Sequence, residues 1–380
     1  MDITINKSVA TGSVQAPPSK SYAHRLVICS FLSGGGNITG LEYSEDIKAT
    51  QGCVNALKNG DGLYCNESGS TLRFMIPLCL TYDRKITLRG SKRLFSRGLE
   101  VYESICKGQG LYFEKGEDFV TVCGKLKSGR FSVRGDISSQ FISGLLFALP
   151  TLEGDSEIVV TTKLESRPYI DLTLKALKDF GIEVEVLDNV FKIKGNQKYK
   201  KCDKKVEGDY SNAAFFDALN YLGHNVNVTG LDPDSLQGDR VYKEYFEKLS
   251  ASKVTLDVSF CPDLAPVLMV VAAYNHGCTL VGTRRLKIKE SDRGEAMKKE
   301  LEKLGVNVTV YENEIEVGFC PSAPTGKLYG HNDHRIVMAL SVLLTKFGGT
   351  VEGAEAVSKS LPDFFERLET LGIEVKKNEA

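Results

Sequence analysis

The chain alternates short polar loops with long apolar runs, and the pattern recurs six times. Residues 17–40 read PPSKSYAHRLVICSFLSGGGNITG, with an apolar helical run over 26–32, three glycines and a short strand over 37–39. The two prolines favour an extended approach and stop any preceding helix. Ser19 and Ser21 both suit the cap of the helix that follows. The same order returns over residues 67–90, 136–161, 208–230, 261–282 and 332–353. The starts lie roughly 50 to 70 residues apart, longer than most solenoid periods. Between units lie amphipathic stretches with apolar residues at i, i+3, i+4, as in 169–180, 294–304 and 362–371, each leading into a β-type segment. The predicted unit is helix–strand–helix–strand. Pro77 falls inside the second apolar helix, so that helix either begins late or kinks. Pro362 is predicted as the first residue of the last helix.

Residues 1–16 alternate Ile3, Ile5, Val9 and Val14 with polar positions, as half-buried strands do. Residues 191–209 carry seven lysines but no aromatic platform, so they read as a solvated strand and connector rather than a nucleic-acid site. A domain boundary is expected there, with three repeats on each side, each domain packing helices against sheets.

Composition narrows the function. A net charge of −1 on 380 residues gives no global field for nucleic acid or membrane, so any anion site must be built locally. Ten cysteines without a C-x-x-C pair, no basic-then-apolar leader, and no apolar run of about 18 residues make a soluble protein of a reducing cytoplasm the expectation. Phosphate-loop, dinucleotide, H-E-x-x-H and G-x-S-x-G patterns are all absent. His331 and His334 share a loop, but Asn332, Asp333 and Arg335 around them do not suit a metal pair. Neither metal nor cofactor is expected.

Polar residues gather where the apolar helices begin: Lys20, Ser21 and Arg25; Gly69, Ser70 and Arg73; Ser138, Ser139 and Gln140; Asp209 and Ser211; Asp263; Asp333, His334 and Arg335. One helix terminus attracts an anion by only about 0.3–1 kcal/mol. Several together, with Arg and Lys making charge-assisted bonds, suit a polyanionic ligand. Lys289, Glu290 and Arg293 crowd another helix start, where Ser291 or Asp292 caps. Arg93 and Arg97 sit at a loop-to-helix entry, and Lys359 lies just before the last helix. The bland alternative is six capped helices with solvated charges, and it holds for Lys298 and Lys299, which fall mid-helix.

Eight ordered motifs, PSKSYAHR, ESGSTLR, SSQF, ESRPY, PDLAP, KESDR, NDHR and KSLPDFF, resemble the EPSP synthase family of enolpyruvyl transferases along essentially the whole chain. The resemblance implies an α/β fold, a two-domain inside-out α/β barrel with three βαβαββ repeats per domain. Residues 17–206 would form one domain and residues 1–16 with 207–380 the other, with the active site in the interdomain cleft. It also implies a monomer that takes the small molecules shikimate 3-phosphate and phosphoenolpyruvate. The enolpyruvyl group would move to the 5-hydroxyl of the first, in chorismate and aromatic amino-acid synthesis.

By the same resemblance, Lys20, Ser21, Arg25, Ser138, Ser139, Gln140, Ser166, Asp263 and Lys289 hold shikimate 3-phosphate. Lys20, Gly69, Arg97, Gln140, Arg293, Arg335 and Lys359 hold phosphoenolpyruvate. About six negative charges then meet in one site, which suits the bidentate fork of arginine. Asp263 is expected as base for the hydroxyl, with Glu290 and Lys20 handling the protons at C3 and the leaving phosphate. Departures from the family pattern are Glu67-Ser68-Gly69-Ser70, Phe74, Gly98 and Arg285, the last replacing an asparagine that contacts shikimate in some members. Two other readings remain. One is the related transferase acting on UDP-N-acetylglucosamine, whose cysteine loop would lie near Arg97, whereas Cys106 reads as a helix end. The other is a non-catalytic anion-binding relative, against which Asp263, Lys289 and Glu290 argue.

Overall fold

Helices without a polar face must go inside. Ala265–Tyr274 is buried at nine of its ten positions, Ser139–Ala148 at nine of ten and Gly69–Cys79 at ten of eleven. Strands such as Ser156–Val160 and Ile86–Arg89 instead bury alternate residues, one face on the helices and one toward solvent. Helices inside and sheets outside is the inside-out α/β arrangement that the resemblance implies. The structure is a computed structural model that describes residues 1–60 and 62–378.

The chain divides into two compact units, Lys20–Val206, and Met1–Ser19 with Glu207–Ala380. Each has its own apolar core. Within the first unit, strand Leu63–Tyr64, helix Gly69–Cys79, strand Ile86–Arg89, helix Glu100–Gln109 and hairpin Tyr112–Lys115/Phe119–Cys123 form one βαβαββ repeat. Its first two strands are parallel, and the hairpin adds antiparallel to the second. Arg130–Val133, Ser139–Ala148, Ser156–Val160, Arg167–Asp179, Val184–Leu187 and Val190–Ile193 repeat that order. The other unit has two such repeats. In the last, the final strand is the chain's own start: Asp2–Ile5 pairs antiparallel with both Gly349–Glu352 and Val375–Asn378.

One repeat in each unit is shorter than the expected helix–strand–helix–strand. Helix Glu45–Asn59 is followed at once by strand Leu63–Tyr64 of the next sheet, and helix Tyr242–Ala251 by Val254–Asp257. Neither has a hairpin, so strand Ile38–Thr39 pairs only with Lys204–Lys205, and Asn225–Thr229 only with Thr11–Gln15, among the described residues. An open edge invites pairing with other chains. On Asn225–Thr229 the side chain of Asn220 takes the missing strand's place. It donates to the Val226 carbonyl at 2.8 Å and accepts from the Val226 N–H at 2.7 Å. Beside Ile38–Thr39 a groove of about 770 Å³ remains, lined in part by Phe31, Leu41, Val54 and Tyr82.

Pro77 does not delay its helix, which begins at Gly69. A proline nitrogen cannot donate to the carbonyl four residues back. Here that carbonyl, Arg73 O, accepts the Tyr102 hydroxyl at 2.6 Å instead. A Cβ at Gly144 would collide with both the Tyr102 hydroxyl and that carbonyl, so only glycine lets helix Ser139–Ala148 approach this closely. Pro362 is not the first helical residue: the last helix is Phe364–Thr370, and Asp363 before it pairs with Arg367 rather than capping with its side chain. Arg93 is the second residue of a five-residue helix, Lys92–Ser96, and Arg97 follows that helix's last residue.

His224 ties three segments together. Its Nδ1 accepts from the Ala10 N–H at 3.0 Å, so the ring proton sits on Nε2, which meets Thr345 Oγ1 at 2.8 Å. Burial, helped by Lys346, lowers its pKa from 6.5 to about 4. The unfolded chain therefore binds one more proton than the folded chain between those values. The contribution is complete above pH 6.5 and is lost as pH falls toward 4, by up to about 3 kcal/mol. Denaturant titrations at pH 7 and pH 4 are expected to show a drop larger in the wild type than in His224→Gln; equal drops would refute this.

Candidate active site

In the Lys20–Val206 unit, most of the predicted residues lie at or near four helix starts. Lys20 opens helix Lys20–Leu32 and pairs with Asp46 Oδ2 at 2.8 Å. Asp46 lies in the first turn of Glu45–Asn59, where the helix dipole favours a carboxylate. Arg25, one turn on, is buried. Its Nε donates to Thr173 Oγ1 at 2.8 Å, its Nη2 to Tyr169 O at 2.7 Å, and its Nη1 to Ser21 O. All three acceptors are neutral, and burial brings the guanidinium pKa down to about 10. Thr173 also meets Ser143 Oγ at 2.8 Å, which couples Arg25 to helix Ser139–Ala148.

Ser68 caps Gly69–Cys79 by accepting from the Thr71 N–H. Gly69 lies under the Arg97 side chain: a Cβ there would stand 2.9 Å from Nη1. Ser138 caps the neighbouring helix by accepting from the Gln140 N–H. The Gln140 side chain joins the two helices, donating to Ser70 Oγ at 2.9 Å and accepting from Arg73 Nη1 at 2.7 Å. Arg73 in turn donates to the Arg97 carbonyl at 2.9 Å. Ser139 and Ser166 are buried. Ser166 precedes Arg167–Asp179 without a side-chain cap bond, at φ 54°, a left-handed conformation rare outside glycine, asparagine and aspartate.

In the other unit Asp263, Lys289, Glu290, Arg293 and Arg335 form one charge network. Asp263, in the one-turn 3₁₀ helix Pro262–Leu264, is met by Lys289 Nζ at 3.1 Å, Arg293 Nη1 at 2.7 Å and Arg335 Nη2 at 3.2 Å. Arg293 also reaches Glu290 Oε2 and Asp333 Oδ2, both at 2.9 Å. Arg335 donates to Ser211 Oγ at 2.7 Å. Lys359 donates to the carbonyl and side-chain oxygens of Asn332 at 2.6 and 2.7 Å. Asp292, not Ser291, caps helix Arg293–Glu302, while Ser291 donates to Asp333.

Electrostatics follow from that geometry. Burial works against the Asp263 anion, but Arg335, Lys289 and Arg293 hold its carboxyl well below the usual range. Burial likewise lowers the Lys289 pKa, and Asp263 only partly offsets it. Arg293 is raised despite burial, because Asp333, Glu290 and Asp263 surround it. The cluster is thus rich in fixed, ionised groups aimed at one another, a setting that suits exchange with anionic ligands. Asp46 was not singled out in the sequence, although Ser44-Glu45-Asp46 before an amphipathic helix signals an acidic helix start. Asp333 stood among the polar helix-start residues, without a role. Arg285 is buried with its Nη2 on the Ser259 carbonyl. Among the described residues no group of three or more His, Cys, Asp or Glu could hold a metal ion.

Removing the Arg293 charge would leave buried carboxylates uncompensated. Arg293→Met is expected to lower unfolding free energy by about 3–5 kcal/mol, read from denaturant midpoints; a loss under about 1 kcal/mol would mean the network is water-screened.

Comparison with known proteins places this geometry in context. The profile of the family described as EPSP synthase (3-phosphoshikimate 1-carboxyvinyltransferase) matches residues 51–368. The curated 3-phosphoshikimate 1-carboxyvinyltransferase of Clostridium kluyveri is 42% identical over 416 aligned residues, covering 98% of each chain. That of Clostridium novyi is 39% identical, covering 98% of this chain and 97% of the relative. An EPSP synthase structure from Acinetobacter baumannii superposes with a TM-score of 0.79 over 100% of both chains at 21% identity, a likeness of fold. The enolpyruvyl transferase NikO of Streptomyces tendae reaches the same TM-score at 13% identity, over 100% of this chain and 99% of that one.

Proposed function

This chain belongs to the EPSP synthase family, and we propose that its two clusters divide that family's reaction between them. The reaction moves the enolpyruvyl group of phosphoenolpyruvate to the 5-hydroxyl of shikimate 3-phosphate and releases phosphate, a step of aromatic amino-acid synthesis. The observation that carries the assignment is Arg25. A buried guanidinium whose hydrogen bonds all go to neutral oxygens is costly unless an anion completes it. It stands one turn from Lys20, at a helix start, where a phosphate fits. Lys20, Ser21, Arg25, Ser138, Ser139, Gln140 and Ser166 would hold shikimate 3-phosphate, with Asp263 and Lys289 on its hydroxyls. Arg97 over Gly69, with Lys20, Gln140, Arg293, Arg335 and Lys359, would hold phosphoenolpyruvate.

Asp263 then has two states. Without substrate it neutralises Arg293 and Arg335 and is a very weak base. When substrate anions take over those guanidinium groups, its proton affinity rises, and it can accept the 5-hydroxyl proton as oxygen adds to C2 of phosphoenolpyruvate. Glu290 and Lys20 serve the proton gained and lost at C3 and the departing phosphate. Arg and Lys supply the charge stabilisation as the tetrahedral intermediate forms and collapses. Ten free cysteines, most of them buried, fit a reducing cytoplasm, and no helix is long and apolar enough to cross a membrane. The enzyme is proposed to act as a cytoplasmic monomer.

Release of inorganic phosphate on mixing both substrates, and not on mixing phosphoenolpyruvate with UDP-N-acetylglucosamine, is the direct test. Asp263→Asn keeps shape and removes the base; kcat per folded molecule is expected to fall by roughly 10²-fold or more, with shikimate 3-phosphate affinity changed far less. Near-wild-type turnover would sink the assignment. Gly69→Ala would push aside only the mobile end of Arg97. Its melting temperature is expected to stay near wild type while KM for phosphoenolpyruvate rises several-fold; an unchanged KM would remove Arg97 from that role.

A further inference from the structure

Two consecutive residues just before helix His334–Phe347 are left-handed: His331 at φ 51° and Asn332 at φ 52°. Neither is glycine, and such pairs persist only where surrounding contacts over-determine them. The contacts come from one helix, Arg293–Glu302, which grips the turn at two points seven residues apart. At its start Arg293 holds Asp333 at 2.9 Å. At its far end Glu300, 2% exposed, accepts from three donors. His331 Nε2 meets Oε1 at 2.7 Å, while the Tyr329 N–H and Lys303 Nζ reach Oε2 at 2.9 and 2.7 Å. Burial works against the Glu300 anion, but these donors hold its carboxyl below the ordinary range. The Tyr329 ring packs edge-on against His331, centroids 4.9 Å apart. Between the two grips lies Asn332, whose backbone and side-chain oxygens both converge on Lys359 Nζ. A right-handed Asn332 would send the carbonyl elsewhere, so the turn decides where the ammonium stands.

We infer that Glu300 and His331 are positioning residues for Lys359: their hydrogen bond holds the left-handed turn that aims both Asn332 oxygens at the ammonium. The inference rests on the proposed role of Lys359 at phosphoenolpyruvate. Neither Glu300 nor His331 touches substrate. Their effect passes through Asn332, and so should fall on one substrate and spare the other.

The test uses the full-length enzyme and the variants His331→Ala, His331→Gln and Glu300→Gln. Gln at 331 keeps a donor within reach of Glu300, and Gln at 300 keeps the shape of the acceptor. His331→Ala is expected to raise KM for phosphoenolpyruvate about tenfold, the loss of one hydrogen bond to a charged group. KM for shikimate 3-phosphate and kcat should stay within about twofold, and His331→Gln should recover most of the loss. Should His331→Ala fail to fold, Glu300→Gln carries the same comparison. A second readout needs no activity: the rate of acetic-anhydride labelling at Lys359, followed by mass spectrometry, should rise several-fold in His331→Ala and return in His331→Gln. Unchanged labelling, or equal loss for both substrates, would overturn the inference. A wild-type enzyme that releases no phosphate from the two substrates would overturn the proposed function instead, and the labelling would still decide this point.

Discussion

A guanidinium group sealed from water, Arg293, sets the terms for half of this molecule. A buried charge persists only if carboxylates and hydrogen bonds replace its hydration. Three carboxylates do so here, and each comes from a different piece of chain: the 3₁₀ turn Pro262–Leu264, the loop before Arg293–Glu302, and the cap of His334–Phe347. Compensating that one charge therefore orients the starts of three elements relative to one another. It also explains why Asp263 is firmly ionised. Because Arg293 and Arg335 both pair with Asp263, the proton affinity of this carboxylate depends on where those two guanidinium groups point.

The other unit solves a similar problem with fewer carboxylates. Arg25 makes its hydrogen bonds to hydroxyl and carbonyl oxygens, over the Phe74 ring, rather than to a carboxylate. Pro77, Tyr102 and Gly144 appear unrelated in the chain, yet together they close the helix pair that carries Gly69, Arg73 and Gln140. Proline frees a carbonyl, tyrosine satisfies it, and glycine makes room for both. The three residues meet at one point, the Arg73 carbonyl.

The repeats show which parts of this architecture are dispensable. Two of six lack the closing hairpin, and a third borrows its last strand from the chain's start. Every candidate site residue lies on a helix start, a short turn or a loop, and none on a hairpin. The exposed edge must still be managed, and Asn220 does this by offering one amide where a neighbouring strand would offer two backbone groups.

Much was legible in one dimension because it depends on local order. Apolar periodicity marks the buried helices, a polar start marks their caps, and the motif series marks the family. Lys20, Arg25, Asp263, Lys289, Glu290, Arg293, Arg335 and Lys359 all stand where a charge interrupts an apolar pattern, and such interruptions are visible in sequence. What sequence could not supply are relations between residues far apart along the chain. Asp46 under Lys20, Tyr102 behind Pro77, Glu300 under His331 and Asp333 across from Arg293 are pairings across 25 to 40 positions, set by packing rather than by neighbours. Local rules also misplace the last helix, since proline at 362 permits a helix start but tertiary contacts delay it to Phe364. The residue types came from the sequence; which charges face one another was decided by the fold, because side chains distant along the chain meet only when helices and turns pack.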